Sequence, residues 1–391
     1  MAKAKLLLIA ETMGGGVRKH VIDLIHGLDP QRFDITLVYG ARNDSVFEVG
    51  KGDLAKYARL IQSTYLVRSI NPVEMLKAVK ELTAIIDEIH PDVVHCHSSM
   101  AGISGRIAAR LRKVDRIFYT PHAYAFAAPE FGKVQDSVFE FIERFLSRHA
   151  TSLTFNVSAG ERDLALQHKL DAPGKFEVIY NGLPDVDMPS RAEARERLGL
   201  DETVGITART PLVGVAAWAI QRKDPMTFMR IAEMVIADRK NAHEAIPHFV
   251  YIGEGELWGE MRDYAQAHGF AERFHQLPYR QDADVLLKAF DVYLLASLYE
   301  GMPYSLIEAI RAGVPTVATR TTGNDEVVLP GINGELFPVG DVQAGAAAVE
   351  KMLNSPYSFE QIRRSFLERF TLDSMLTTLQ RHYLSSTVTS K

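Results

Sequence analysis

A chain of 391 residues is too long for one ordinary core and predicts two domains of about 150–200 residues each. Hydrophobic residues make up 47% and charged residues 24%, which excludes a disordered or fibrous protein, and a formal net charge of −5 argues against a nucleic-acid partner. The only cysteine, Cys96, excludes an internal disulfide and favours the cytoplasm. The apolar run before Glu11 is too short for a signal peptide or a membrane span.

The first half of the chain alternates between strand and helix patterns. KLLLIAE predicts a strand that runs into Gly14, Gly15 and Gly16, and VRKHVIDLIHGL then has helical periodicity. Further β-rich segments follow, separated by helical or turn residues: DITLVYG, PDVVHCH, RIFYTPH, LTFNVSA and FEVIYNG. This alternation predicts a parallel sheet covered on both faces, with ligands at the carboxyl ends of its strands. We assign residues 1–186 to this domain.

The second half of the chain repeats the alternation after a charged stretch, which we interpret as a linker at residues 187–210. VGVAAWAI, HFVYIG, RFHQLPY, DVYLLAS and PTVAT predict strands, and Asp224 and Pro225 predict the start of a helix. The second domain is placed at residues 211–365, and residues 366–391 predict helices that pack across the domain junction. The predicted fold class is therefore α/β, with two Rossmann-like, doubly wound domains and a cleft between them.

Charge is distributed unevenly between the two halves. Residues 1–186 contain 23 Lys and Arg against 22 Asp and Glu, whereas the remainder contains 21 against 27. Part of the basic excess lies in GRIAARLRKVDR, which holds Arg106, Arg110, Arg112, Lys113 and Arg116. Such a helix could lie on an anionic membrane surface, or it could be an ordinary solvated helix beside a core.

The strongest local pattern is DVYLLASLYEGMPYSLIEAIRAGVPTVAT. It predicts a buried strand, an acidic loop with Glu300, and a helix that Pro303 begins and Gly313 ends. A helix N-terminus at the carboxyl edge of a parallel sheet is an anion site, and phosphate suits it. Glu308 follows in the helix, so both carboxylates can accept hydrogen bonds from sugar hydroxyls in the same site.

With these residues in place, the chain resembles glycosyltransferase family 4, retaining enzymes of GT-B fold whose signature is two glutamates separated by seven residues. The likeness extends over almost the whole chain, through GGGVRKH, PDVVHCHSSMAG, TPHAYAF, SAGERDLAL, VIYNGLP, QRKDP, YIGEGE and TTGNDEVVLPGINGELFPVGD. The segments near the start are similar to those of bacterial capsule, exopolysaccharide and O-antigen transferases.

The resemblance implies roles for particular residues. Glu300 contacts the donor sugar and is a catalytic candidate together with Lys223, which holds the diphosphate, and Glu308 binds the ribose. The matching loops assign donor contacts to Gly253, Gly255, Gly301, Met302 and Pro303. One departure stands out, because the family commonly has an arginine at the position of Trp218. Arg222 is either its replacement, since a guanidinium can hold phosphate bidentately, or a solvent-facing residue at a helix start.

Two histidine motifs follow strands of the first domain. His122 lies in TPHAYAF, and in the family this histidine lines the reaction centre, so it is the third catalytic candidate. His95 and His97 share one face of their strand and Cys96 takes the other. No further ligands follow them in the sequence, so we expect no zinc site. Gly15 and Gly16 let the backbone approach the acceptor or the donor phosphate.

The implied reaction moves a hexose from a nucleotide-sugar, most often a UDP-sugar, to a saccharide or lipid-linked oligosaccharide acceptor at the inner face of the cytoplasmic membrane. No cofactor or metal is expected, because the D-x-D motif at Asp185–Asp187 lies in the predicted linker rather than at the end of a buried strand. Two alternatives remain open. One is a UDP-sugar 2-epimerase on the same fold, and the other is a non-catalytic partner subunit, which the residue at Trp218 motivates.

Overall fold

The computed structural model describes residues 2–69, 71–127, 132–354 and 357–385. Contacts divide the chain into two compact units, which we call unit 1 and unit 2. Unit 1 comprises Met1–Gly182 together with Leu372–Lys391, and unit 2 comprises Leu183–Thr371.

The strands lie in two separate sheets. In chain order they are β1 (Ala4–Met13), β2 (Phe33–Asn43), β3 (Arg59–Gln62), β4 (Val93–His97), β5 (Arg116–Thr120), β6 (Leu153–Asn156), β7 (Phe176–Val178), β8 (Leu212–Ala216), β9 (His248–Ile252), β10 (Phe274–Leu277), β11 (Val292–Leu295), β12 (Thr316–Thr319) and β13 (Gly334–Phe337). The order is β3-β2-β1-β4-β5-β6-β7 in unit 1 and β10-β9-β8-β11-β12-β13 in unit 2. Every pairing between these strands is parallel.

Helices connect these strands. They are α1 (Gly15–Gly27), α2 (Ser45–Leu54), α3 (Pro72–Ile89), α4 (Ser99–Leu111), α5 (Lys133–Ala150), α6 (Ala159–Gln167), α7 (Arg191–Arg197), α8 (Pro225–Ala242), α9 (Trp258–Ala267), α10 (Ala283–Leu286), α11 (Tyr304–Arg311), α12 (Asn324–Val327), α13 (Val342–Asn354), α14 (Phe359–Arg369) and α15 (Leu372–Leu384). The two doubly wound sheets confirm the predicted α/β fold class.

The apolar strand β1 shows why the sheet of unit 1 is covered on both faces. Leu7 and Ile9 enter one core cluster, whereas Leu6, Leu8 and Ala10 enter another. Because successive side chains of a strand point to opposite faces, a continuous apolar run supplies both cores at once. Each of these five side chains is at most 1% exposed.

The start of α8 follows the prediction from sequence. Asp224 is its N-cap and accepts a hydrogen bond from the backbone N–H of Thr227 at 3.1 Å, while Pro225 begins the helix. A proline at this position loses no helical hydrogen bond, because the first N–H groups of a helix have no partner within it. The cap fixes the point at which the chain leaves the loop that carries Lys223.

All the strands predicted from sequence are present, but β3 and β13 were missed. Both lie at a sheet edge, where one side of the strand lacks a neighbour and the apolar pattern is weaker. β3 is half-exposed along its length, and β13 begins at Gly334.

The boundaries between the units differ from the expected ones. The segment predicted as a linker contains α7, whose Arg195 is buried and donates a hydrogen bond to the carbonyl oxygen of Ala289 at 3.1 Å. This segment is therefore folded into unit 2. Of the predicted C-terminal helices, α14 belongs to unit 2 and α15 to unit 1, and residues 386–391 lie outside the described residues.

Both interpretations of the basic segment, a lipid-facing helix and a solvated helix face, placed its cations at the surface, and this was wrong for Arg106. The Arg106 side chain is fully buried, pairs with Glu143 at 2.7 Å, and lies 3.9 Å from the centre of the Tyr119 ring. A buried cation requires such a partner, because burial without one costs several kcal/mol. The cations that remain exposed in this segment are Arg110, Arg112 and Lys113.

Across the described ranges, no helix has both the length and the apolar character needed to span a membrane.

Candidate active site

The strand order of unit 2 reverses direction between β8 and β11. Chain connections leave these two neighbouring strands toward opposite sides, which opens a crevice at their carboxyl ends where ligands bind in doubly wound folds. The loop after β8 carries Lys223 and the loop after β11 carries Glu300. The two residues that the sequence assigned to the donor therefore follow the two strands that flank this switch point.

Lys223 and Glu300 form an ion pair between Nζ and Oε1. Only 12% of the Lys223 side chain and 6% of the Glu300 side chain are exposed. Burial alone raises the pKa of Glu300, but the Lys223 ammonium and then the Arg222 guanidinium outweigh it, so the pKa lies below its ordinary value. The pair therefore holds a carboxylate beside a cation, sheltered from water.

Arg222 is linked to the same site. Its backbone carbonyl oxygen accepts a hydrogen bond from the N–H of Leu298 at 2.9 Å, which ties the loop after β8 to the loop after β11. Its guanidinium lies 5.5 Å from the centre of the Tyr299 ring, and its buried Nε has no hydrogen-bond partner among the described residues. Arg222 is thus not a purely solvent-facing residue, and its charge acts on Glu300.

Glu308 lies in the second turn of α11, and Pro303 is the N-cap of that helix. Burial raises the pKa of the Tyr293 hydroxyl, and the carboxylates of Glu308 and Glu300 raise it further. The charges of both glutamates therefore influence the Tyr293 hydroxyl. This hydroxyl donates a hydrogen bond to the carbonyl oxygen of Ala216, the last residue of β8, at 3.1 Å. That the two signature carboxylates bind the donor in one site stays a prediction.

The glycines of the predicted donor loops occupy crowded backbone. A Cβ on Gly253 would lie 2.0 Å from the carbonyl oxygen of Ala217, and one on Gly255 would lie 2.4 Å from that of Ala219. Both have positive φ, so only glycine fits without displacing the loop after β8. Next to Gly301, a Cβ on Gly323 would lie 2.0 Å from the Gly301 carbonyl oxygen, and Met302 is buried.

Trp218 stands at the position where the family commonly has arginine. This position therefore supplies no cation to the Lys223–Glu300 pair. Its indole is 37% exposed and stacks on the Tyr279 ring, with centroids 5.6 Å apart and planes inclined by 8°. The loop after β8 thus presents an aromatic surface beside Arg222 and Lys223.

Unit 1 has its own switch point, between β1 and β4, and histidines collect there. His97 is the last residue of β4, His122 follows β5, and His20 lies in α1. His97 Nδ1 is 3.2 Å from His122 Nε2, and the rings of His20 and His122 are 4.7 Å apart. His95 shares the face of β4 with His97, as predicted, and its ring lies 4.1 Å from that of His97.

Burial lowers the pKa values of His20, His97 and His122 and so favours the neutral form of each ring. Burial lowers the pKa of His20 to about 4, and the hydrogen bond to Asn181 offsets only part of that effect. Burial and the neighbouring imidazoles hold the pKa values of His97 and His122 well below the ordinary value.

The backbone around His122 is strained and is held by Glu161. His122 and Ala123 both have positive φ, of 55° and 87°. Such conformations cost about 1–3 kcal/mol each when the residue is not glycine. Glu161 accepts hydrogen bonds from the N–H of Ala123 at 2.6 Å and from the N–H of Val157 at 2.9 Å. Glu161 lies in the first turn of α6, and its carboxylate also fixes the turn that presents His122.

His20 was missed as a candidate from sequence. The available signal was its position three residues after Val17 and four before Leu24, on the apolar face of α1, where a polar side chain needs a buried partner. The expectation of no zinc site considered only ligands that follow His97 in the sequence, whereas the pairing of β1 with β4 brings His20 from earlier in the chain to His97.

The glycine segment after β1 begins α1 rather than forming a separate loop. Gly15 is the first residue of the helix, with Gly16 next, and the N–H of Gly15 donates to Asp44 Oδ2 at 3.2 Å. The assignment of Gly15 and Gly16 to a substrate contact stays a prediction.

Family models match both units. Residues 14–185 match the model described as Glycosyltransferase Family 4, and residues 211–355 match the model described as Glycosyl transferases group 1.

Two relatives illustrate the likeness at the level of sequence. The chain is 28% identical over 352 residues to a UDP-Gal:alpha-D-GlcNAc-diphosphoundecaprenol alpha-1,3-galactosyltransferase of Escherichia coli, covering 87% of this chain and 86% of the relative. It is 27% identical to a 2-deoxystreptamine N-acetyl-D-glucosaminyltransferase of Streptomyces fradiae, covering 65% of this chain and 61% of the relative.

Solved structures share the fold. HepE of Anabaena in complex with UDP-glucose superimposes with a TM-score of 0.77 at 19% identity, covering 96% of this chain and 98% of that one. The apo form of the lipopolysaccharide outer core galactosyltransferase WaaB gives 0.72 at 16% identity, covering 98% and 100%.

Proposed function

We propose, from the premise that the chain belongs to glycosyltransferase family 4, that it transfers a hexose from a UDP-sugar to a lipid-linked saccharide with retention of the anomeric configuration. The chain is a glycosyltransferase of GT-B type in bacterial glycan biosynthesis. The proposal concerns the identity of the donor, the identity of the acceptor and the stereochemistry of the transfer.

The observation that carries the proposal is the buried Lys223–Glu300 pair at the switch point of unit 2. A lysine ammonium there can neutralise a diphosphate, and a carboxylate beside it can accept hydrogen bonds from a sugar. An isolated buried ion pair contributes little net stability to the folded state. The presence of the Lys223–Glu300 pair at a ligand crevice therefore favours a role in function over a role in folding.

In the proposed mechanism the bond between the anomeric carbon and the diphosphate oxygen breaks while Lys223, Arg222 and the N–H groups at the start of α11 stabilise the negative charge on the leaving group. The acceptor hydroxyl attacks from the face that the diphosphate leaves, and its proton passes to the leaving phosphate. Glu300 accepts hydrogen bonds from the sugar hydroxyls, and the role at the reaction centre that the family resemblance gives to His122 stays a prediction. Because protein cations supply the charge, the transfer needs no metal ion.

Two similar proteins support the choice of substrates. The relative from Escherichia coli uses UDP-Gal and a diphosphoundecaprenol-linked acceptor, and HepE was solved with UDP-glucose. We extend both features to this chain, and place the reaction in the cytoplasm at the inner face of the membrane.

Thermal unfolding with UDP, GDP, ADP and TDP tests the donor site. We expect UDP alone to raise the unfolding temperature, because a ligand at ~100 times its Kd adds about 2.7 kcal/mol to the stability of the folded state. Lys223→Ala and Glu308→Ala should each abolish this shift. Lys240→Ala, an exposed lysine of α8, is the matched control and should retain it.

A shift with another nucleotide would replace UDP in the proposal, and no shift with any nucleotide would favour a non-catalytic partner subunit. Incubation of the UDP-sugar without acceptor separates transfer from 2-epimerisation, because only an epimerase then forms a new UDP-sugar. The anomeric proton coupling of the transfer product, measured by NMR, decides between retention and inversion.

For the membrane surface we propose α5 together with the exposed cations at the end of α4, without the buried Arg106. Four exposed apolar side chains follow one face of α5 at spacings of four, three and four residues: Val134 (79% exposed), Val138 (53%), Phe141 (65%) and Phe145 (53%). Such a stripe can enter the acyl boundary of a bilayer, while the exposed cations Arg110 and Arg112 at the end of α4 attract anionic lipid.

Co-sedimentation with vesicles containing phosphatidylglycerol tests this surface. The double variant Phe141→Ser/Phe145→Ser should lower vesicle binding about 10²–10⁴-fold, since each fully buried phenylalanine contributes about 1.5–3 kcal/mol and the two losses add. Leu367→Ser, an equally exposed apolar residue of α14, is the control. Equal binding by the double variant and the control would exclude α5 as the docking surface.

A further inference from the structure

We propose that His20, His97 and His122 form a binding site for a transition-metal ion, with Zn²⁺ the best fit. Their ligand nitrogens all lie within 4.8 Å of one another, and all three residues belong to unit 1. The cations proposed to neutralise the donor diphosphate belong to unit 2.

The distances suit tetrahedral coordination. Zn²⁺ binds imidazole nitrogen at about 2.0–2.1 Å, so two ligand atoms of a tetrahedral site lie roughly 3.3–3.4 Å apart. The 3.2 Å between His97 Nδ1 and His122 Nε2 is close to that value. The ligand nitrogens of the three rings lie up to 4.8 Å apart, so the third ring must move by somewhat more than 1 Å to reach the tetrahedral spacing. A small rotation of the side chain gives a movement of this size.

The neighbouring groups orient the ligands. Asn181 Oδ1 lies 3.2 Å from His20 Nδ1, and an N–H donated from Nδ1 directs the lone pair of Nε2 toward the other two rings. Glu161 holds the turn after His122 through the N–H of Ala123 and adds a buried negative charge close to the site. A carbonyl oxygen beside a ligand imidazole, as the Asn181 side chain provides for His20, is typical of histidine metal sites.

Not every nitrogen of the histidine cluster has a hydrogen-bond partner within the described part of the chain. His97 Nε2 is buried and makes no hydrogen bond within the described part of the chain. His95, by contrast, uses both nitrogens, with Tyr383 at 2.6 Å and Thr120 at 2.9 Å, so it belongs to the packing and not to the ligand set. Three histidines supply three ligands, which leaves a fourth position open as in catalytic zinc sites.

Metal binding here has a functional consequence that rests on the proposed function. A metal ion that takes a nitrogen of His122 withdraws that imidazole from the donor sugar. Zn²⁺ should therefore inhibit transfer, and a chelator should restore it without lowering the basal rate.

The test is a titration of the full-length protein with Co²⁺, which replaces Zn²⁺ and gives an intense visible absorption when four-coordinate, followed by displacement with Zn²⁺. We expect one ion per chain, and at least about tenfold weaker binding in His97→Gln and in His20→Gln. His248→Gln is the control, because His248 and His275 form a pair 2.8 Å apart in unit 2 that lacks a third ligand among the described residues.

Absence of the four-coordinate Co²⁺ absorption, or binding that His97→Gln leaves unchanged in a folded variant, would overturn the proposal and leave a hydrogen-bonded histidine cluster. Circular dichroism of each variant confirms that it is folded. Because the absorption is read without donor or acceptor, a failure of the proposed transferase reaction leaves this result standing, and the reverse holds as well.

Discussion

Replacing Lys223 by alanine is expected to lower kcat/KM for sugar transfer by about 10²–10³-fold, the loss typical of removing one preorganised group that stabilises a developing negative charge. The substitution takes away the cation nearest Glu300 and leaves that carboxylate buried without its partner. Steady-state kinetics with the UDP-sugar and acceptor measure the effect. Lys240→Ala, at the exposed end of α8, should change kcat/KM less than twofold.

A loss of stability could imitate a loss of catalysis, because breaking a buried ion pair costs about 3–5 kcal/mol. The double variant Lys223→Met/Glu300→Gln removes both charges and should unfold closer to the original protein than Lys223→Ala does. If this double variant is stable and still inactive, the pair acts in the reaction. Full activity in a stable variant without Lys223 would remove this residue from the mechanism.

Replacing Arg106 by methionine is expected to lower the free energy of unfolding by about 3–5 kcal/mol, because Glu143 would then be a buried carboxylate without its cation. The loss also removes the hydrogen bond to the Gly102 carbonyl oxygen at 2.7 Å and the contact with the Tyr119 ring. Urea unfolding followed by far-UV circular dichroism measures the change. Trp218 and Trp258 both lie in unit 2, so tryptophan fluorescence reports that unit separately.

Arg112→Met is the matched control for this experiment. Arg112 belongs to the same basic segment and pairs with Asp87 at 2.6 Å, but the two side chains are 42% and 49% exposed. Exposed pairs of this kind contribute about 0–1 kcal/mol, so the control should remain close to the original protein. If both substitutions lowered the free energy of unfolding equally, the buried Arg106–Glu143 pair would stabilise the protein no more than the exposed Arg112–Asp87 pair does.

Much of the fold could be predicted from local patterns. The apolar run of β1 and the helical periodicity after it are short-range features, and parallel sheets require crossovers that repeat the same alternation. The acidic loop and helix that carry Glu300 and Glu308 lie within one short segment, so their spacing was readable directly. The edge strands β3 and β13 escaped prediction because a partly exposed strand needs no continuous apolar run.

By itself, the sequence determined the two doubly wound units, the signature glutamates and the family, since each depends on residues close together in the chain. Only the tertiary structure decided the pairing of Lys223 with Glu300 across 77 residues, and the convergence of His20 on His97 and His122. Strand order makes the difference, because β8 meets β11 and β1 meets β4, and the ends of neighbouring strands gather residues that no local pattern connects.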